Sequence, residues 1–123
     1  MSSQSADTVE TIRKVTGYGS VGFGAAALLT PNVLYNLYGM KERLGEASYM
    51  GRMWGTRTAA IGILALAATA EQERRALFLC SATLNAVDAV VALTTPGLSG
   101  RTRVLGALTS GGFAAAAIYV LNQ

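Results

Sequence analysis

The sequence predicts an all-α protein: a four-helix transmembrane bundle with a short interfacial helix between helices 1 and 2. Three observations predict it. Apolar residues make up 51 % of the chain and charged ones only 14 %, against roughly 25 % charged in ordinary soluble domains. Four apolar stretches recur along the 123 residues, each close to the ~20 residues that cross a ~30 Å hydrocarbon core. Away from their edges they contain only three charged side chains, Arg52, Arg57 and Asp88.

The elements follow in order. The first stretch, 12–30, ends before Pro31, whose missing N–H and effect on the preceding residue stop a helix. Its polar leader carries both charge signs (Asp7, Glu10, Arg13, Lys14). No signal-peptide pattern of an apolar run with a small-residue cleavage site is evident, so the stretch reads as a retained membrane segment. After Pro31, Val33, Leu34, Leu37 and Met40 recur at helical spacing, which predicts a short helix in the membrane interface. Tyr35, Tyr38 and Tyr49 then form an aromatic belt at that face; an ordinary amphipathic connecting helix is the alternative. The second stretch is 48–70. Glu71-Gln72-Glu73-Arg74 reads as a polar hairpin link, 75–95 as the third span, Pro96 to Arg101 as a turn-rich link and 102–121 as the fourth. The whole, 1–123, reads as one membrane domain.

A soluble Ala-rich bundle is the structural rival. It needs a polar stripe along each helix, and Ala59 to Ala70 contains one polar residue, Thr69. The predicted location is therefore integral to a membrane, the plasma (inner) membrane. Orientation is nearly balanced: Arg13, Lys14, Arg74 and Arg75 mark the face with both termini, and Lys41, Arg43, Arg101 and Arg103 the other. The positive-inside rule then gives only a lean toward cytoplasmic termini.

Counted outward from the link between Gln72 and Glu73, Arg57 and Asp88 lie equally far along the two arms. In an antiparallel hairpin they share a depth, ~10–13 Å from the nearer face at ~1.5 Å per residue. An unpaired charge there costs ~2.5–3.5 kcal/mol on insertion scales, so the two are expected to pair inside the bundle. Asn85, one turn before Asp88, and Ser81, one turn before Asn85, extend the polar stripe. Arg52, nearer the surface, either snorkels to the headgroups or caps the same cluster. The cluster of Arg52, Arg57, Asp88, Asn85 and Ser81 has two readings: it fixes helix register, or it lines a ligand cavity.

Small residues form the second signal. Gly51, Gly55 and Gly62 on the second span, and Gly106 and Gly111 on the fourth, favour close helix approach. The sequence does not say which helix each one meets.

Several motifs mislead. Gly17-Tyr18-Gly19-Ser20-Val21-Gly22 matches G-x-G-x-x-G, with Glu42 about 20 residues on. It lacks the preceding strand and βαβ unit of a dinucleotide site, so the glycines read as packing residues. Cys80 is the sole cysteine and reads as a small buried filler. Trp54, Met50 and Met53 read as interface and packing residues. Histidine is absent, which removes Ser-His-Asp machinery and most zinc sites. No catalytic residue, metal or cofactor is assigned. The net charge of +3, without a basic run, gives no nucleic-acid surface.

The stretch Arg52-Met53-Trp54-Gly55-Thr56-Arg57-Thr58-Ala59-Ala60-Ile61-Gly62 resembles DoxX-like four-helix membrane proteins, in an uncharacterised bacterial and fungal branch. That pattern is R-x-x-G-x-R, a later glycine and an Asp in the next helix, here Arg52, Gly55, Arg57, Gly62 and Asp88. Thr58 stands where that branch often has an acidic or polar residue. The resemblance implies a four-helix membrane fold and no established activity. Two functions are therefore carried forward. One is a scaffold or accessory subunit packing against itself or another membrane protein. The other is a small transporter or binder of a lipid-like or anionic molecule. An intramembrane enzyme is disfavoured, because only Asp88 could serve as acid or base.

Overall fold

The computed structural model describes residues 2–40 and 45–123. They form five helices, α1 (Ser3–Leu29), α2 (Pro31–Tyr38), α3 (Gly45–Ala67), α4 (Glu71–Thr94) and α5 (Gly100–Leu121), with no strand among the described residues. Lys41, Glu42 and Arg43 lie outside that set. The G-x-G-x-x-G motif is helical throughout, inside α1. Helix α1 starts well before the apolar stretch, because Ser2 caps it by accepting from the Ser5 backbone N–H at 3.1 Å. The tetrapeptide Glu71–Arg74 is no link: it is the first turn of α4, where Glu71 and Glu73 sit at the positive end of the helix dipole.

The helices assort into two antiparallel pairs. α1 packs along α3, and α4 along α5, whereas the consecutive α3 and α4 meet at few points. Glycine decides the first pair. Gly17 and Gly24 on α1 face Gly62 and Gly55 on α3. A Cβ on Gly24 would lie 2.5 Å from the Ala59 nitrogen and 2.6 Å from the Gly55 oxygen; one on Gly62 would lie 2.6 Å from the Gly17 oxygen. The two backbones are in direct contact, as small-residue membrane interfaces allow. In the second pair Gly106 lies against Ala92, 3.2 Å from a Cβ at that position.

Apolar side chains pack mainly at the two ends. Val9, Phe78, Ala82, Ala117 and Val120 close the end near the termini. Ala27, Leu34 and Tyr38 close the other, with Phe23, Trp54 and Leu105 beside them. Ala65, Ala68 and Leu77 join α3 to α4 near their link. The outer surface is equally apolar: Ile63, Leu64, Val87, Val90, Leu93, Val104, Leu108 and Ile118 are all exposed. Among the described residues, α4 and α5 are long and apolar enough to cross a membrane, by length and composition.

Helix α2 departs from the expected belt. Tyr35 and Tyr38 are buried at 9 % exposure each, whereas Tyr49 is 65 % exposed. The reason is that α2 folds back onto the bundle. Leu34 and Tyr38 fill the space beside Ala27, and the Tyr38 hydroxyl lies 3.1 Å from the Thr109 hydroxyl. Thr102 donates to the Tyr38 carbonyl at 2.7 Å. Gly39 ends the helix at φ 72°, the left-handed position that favours glycine. Cys80 is another correction: it is exposed on the outside of α4 instead of buried.

Three arginines close helix ends. The last carbonyls of a helix have no partner within it. Arg13, buried on α1, donates from Nη1 to the Ala65 and Leu66 carbonyls of α3 at 2.9 and 2.8 Å. Arg103 on α5 donates to the Ala92, Leu93 and Thr95 carbonyls at the end of α4. Arg75 on α4 donates to the Leu121 carbonyl of α5 at 3.1 Å. Each cation also faces the negative end of a helix dipole. Arg13 is itself gripped by Glu10 through two bonds of 2.6 and 2.9 Å. These bonds hold the Glu10 carboxyl below its ordinary value of 4.5.

Two predictions follow from this packing. Gly24→Ala forces backbones apart and is expected to destabilise the protein by ~1–3 kcal/mol. Gly112→Ala, with nothing within 4 Å of the added Cβ, is expected to be neutral or stabilising by up to ~1 kcal/mol; thermal unfolding in detergent compares them. Because the folded-state value of Glu10 is depressed, its contribution is complete above pH 4.5 and is lost as pH falls further. Glu10→Gln is therefore expected to lower the melting temperature at neutral pH and to flatten its decline below pH 4.5.

Candidate functional site

Because α3 is held against α1 and α4 against α5, space remains between the pairs, and one ion pair crosses it. Arg57 Nη2 donates to Asp88 Oδ2 at 2.6 Å. Neither side chain is fully buried, with 37 % and 26 % exposed. A charge-assisted bond of this length offsets much of the cost of removing both ions from water.

The other residues of the expected cluster divide. Asn85 donates from Nδ2 to the Ser81 carbonyl at 2.9 Å and to its hydroxyl at 3.2 Å. These two form a local brace along α4, with Ser81 fully buried. Arg52 is exposed and makes no bond to the ion pair. The geometry of a helix explains this, since five residues of separation turn Arg52 about 140° from Arg57. Of the glycines, Gly55 and Gly62 meet α1, Gly106 meets α4, and Gly51 lies beside the ring of Tyr35, whose hydroxyl is 3.1 Å from a Cβ there. Gly111 has nothing within 4 Å of an added Cβ and meets no neighbouring helix there.

Two cavities meet at Asp88. The smaller, of about 30 Å³, lies among Ser20, Arg57, Thr58, Asn85, Asp88 and Ser110. It is large enough for one water molecule, and the buried Arg57 Nε, which has no hydrogen-bond partner among the described residues, lies beside it. The larger cavity is about 470 Å³ and runs from Asp88 toward α2, within the size range of small-molecule sites. Its walls are mostly apolar: Ala27 from α1, Leu34 from α2, Met50 and Trp54 from α3, Val91 from α4 and Gly106 from α5. Thr102, Thr109 and Ser110 supply hydroxyls. The bonds from Thr102 to Tyr38 and from Ser99 to Gly39 tie α2 to the start of α5, so that α2 roofs the space.

Sequence reasoning missed several of these residues. Trp54 and Met50 pass for packing residues until α2 is placed opposite them. Thr109 and Ser110 look like any small polar residues of an apolar helix. Their signal was available only as polar positions at the level of Asp88 on a neighbouring helix.

The fold and site define a helical protein with an ion-paired cavity between two helix pairs. Residues 17–121 match DUF4267, a domain of unknown function, and the chain belongs to that family. No curated protein and no solved structure matches the chain.

Removal of one partner leaves the other charge poorly compensated. Arg57→Gln and Asp88→Asn are each expected to lower stability by ~1–3 kcal/mol, and the double variant to recover part of that loss. A double-mutant cycle by thermal unfolding in detergent measures it; strict additivity would show that the two side chains do not interact.

Proposed function

We propose that this chain is a four-span membrane protein that binds a lipid-like molecule in the cavity between its helix pairs. The observation that carries the proposal is the large cavity itself: mostly apolar, with the Asp88 carboxylate, held by Arg57, on its wall beside Thr109 and Ser110. A site of that shape suits a molecule with an apolar chain and a polar head. The exposed apolar side chains of α3 support lipid contact for the first pair as well, and those of α4 and α5 for the second. The DoxX-like pattern of Arg52, Gly55, Arg57, Gly62 and Asp88 belongs to the same reading. A plasma-membrane location with cytoplasmic termini also belongs to it and rests on the charge pattern alone.

The scaffold reading is favoured by a different observation. Gly111 and Gly112 on α5 have nothing within 4 Å of an added Cβ, and Gly112 borders an open groove beside Ile12 and Val15 of α1. A second copy or another membrane protein could approach closely there. It stands second because these two positions are only small residues, whereas the cavity combines volume, apolar walls and a carboxylate.

Trp54 is the only tryptophan and lines both cavities, so its fluorescence reports occupancy. Membranes holding the protein are expected to retain it through an alkaline wash and release it to detergent. A single-chain lipid brominated along its tail is expected to quench Trp54 saturably at low mole fraction. Val91→Phe, which narrows the cavity, is expected to weaken that quenching. Quenching that rises only linearly with probe, and equally in Val91→Phe, would mean that the tail meets Trp54 from the surrounding lipid and not in the cavity.

A further inference from the structure

We infer that the polar end of the large cavity selects a neutral head carrying a hydroxyl, and selects against anions. The inference rests on the cavity reading and specifies its ligand class. Asp88 borders both cavities, but Arg57 borders only the small one. A molecule in the large cavity therefore meets the carboxylate and not the guanidinium.

The carboxylate is half used. Oδ2 accepts from Arg57, and Oδ1 has no hydrogen bond among the described residues. An ionised carboxylate is purely an acceptor, so the head that completes it must donate. Thr109 and Ser110, also at that end, both donate and accept. Together these groups match a hydroxyl, which gives one hydrogen to Asp88 and accepts one in return.

Charge narrows the class further. Arg57 already neutralises Asp88, and the surrounding walls are apolar. A cationic head would bring a second positive charge beside Arg57 in a poorly screened place, with no second anion to balance it. An anionic head would be set directly against the carboxylate. A neutral donor incurs neither cost. The ligand class is thus an apolar chain or ring system ending in an alcohol.

The comparison of heads is made on the wild-type protein. Four probes share one brominated alkyl chain and differ in the head: hydroxyl, methyl ether, primary ammonium and sulfate. Each is titrated into the wild-type protein in detergent and read by Trp54 quenching. The alcohol is expected to bind about tenfold more tightly than the ether, the size of one hydrogen bond to a charged group, and more tightly than either ion. The preference of alcohol over ether is expected to shrink in Asp88→Asn combined with Arg57→Gln, where a neutral amide oxygen replaces the carboxylate as acceptor. Saturable binding with alcohol and ether equal, or with the sulfate or ammonium tightest, would overturn the head assignment and leave the cavity reading standing. Absence of saturable quenching by all four would overturn both.

Discussion

Backbone contact between α1 and α3 organises the molecule. Gly17 and Gly24 leave α1 without side chains along the line that faces Gly55 and Gly62, and the two backbones close on each other. α3 meets α4 at few points, near their link, although only Ala68 to Ala70 separate them in the chain. The space left over holds both cavities, and the long arm of Arg57 crosses the smaller one to reach Asp88, which borders the two. Glycine placement, the ion pair and the binding space are thus one geometric fact seen at three points.

The helical stretches, the short helix after Pro31 and the matching depth of Arg57 and Asp88 could all be read from periodicity, proline placement and counting along two arms. The depth argument works for a reason independent of helix contact: two antiparallel segments joined by a short turn keep their register even when their sides stand apart. Partner choice was not legible. Gly51, Gly55 and Gly62 announce close approach, yet nothing local says that α1 takes Gly55 and Gly62 while α2 takes Gly51. The tyrosines show the same limit. Tyr35 and Tyr38 have the composition of an interface belt, and only the fold-back of α2 turns them inward. Cys80 could be assigned a helix but not a face. Arg52 was decidable, since its angular offset from Arg57 follows from helix geometry alone.

The arginines show why the charge pattern alone is a poor guide to the predicted orientation. Arg13, Arg75 and Arg103 belong, by sequence, to two facing clusters of positive charge. Each instead reaches to the end of another helix and supplies hydrogens to carbonyls that lack them. At such a place an arginine answers a backbone requirement, whichever side of a membrane it occupies. The near balance of basic residues between the two faces then has a structural origin: both ends of the bundle contain helix C-termini in need of donors.

The capping pattern also divides the protein. α4 and α5 cap each other, through Arg75 and Arg103, and α3 is capped from α1 through Arg13. Each helix pair is therefore finished within itself, like two closed hinges leaves bound at a spine. Separating the leaves leaves every one of those caps, and the glycine seam, untouched. What must yield on the cavity side is the ion pair of Arg57 and Asp88 together with the bonds that tie α2 to α5, which makes these few polar contacts the latch of the assembly.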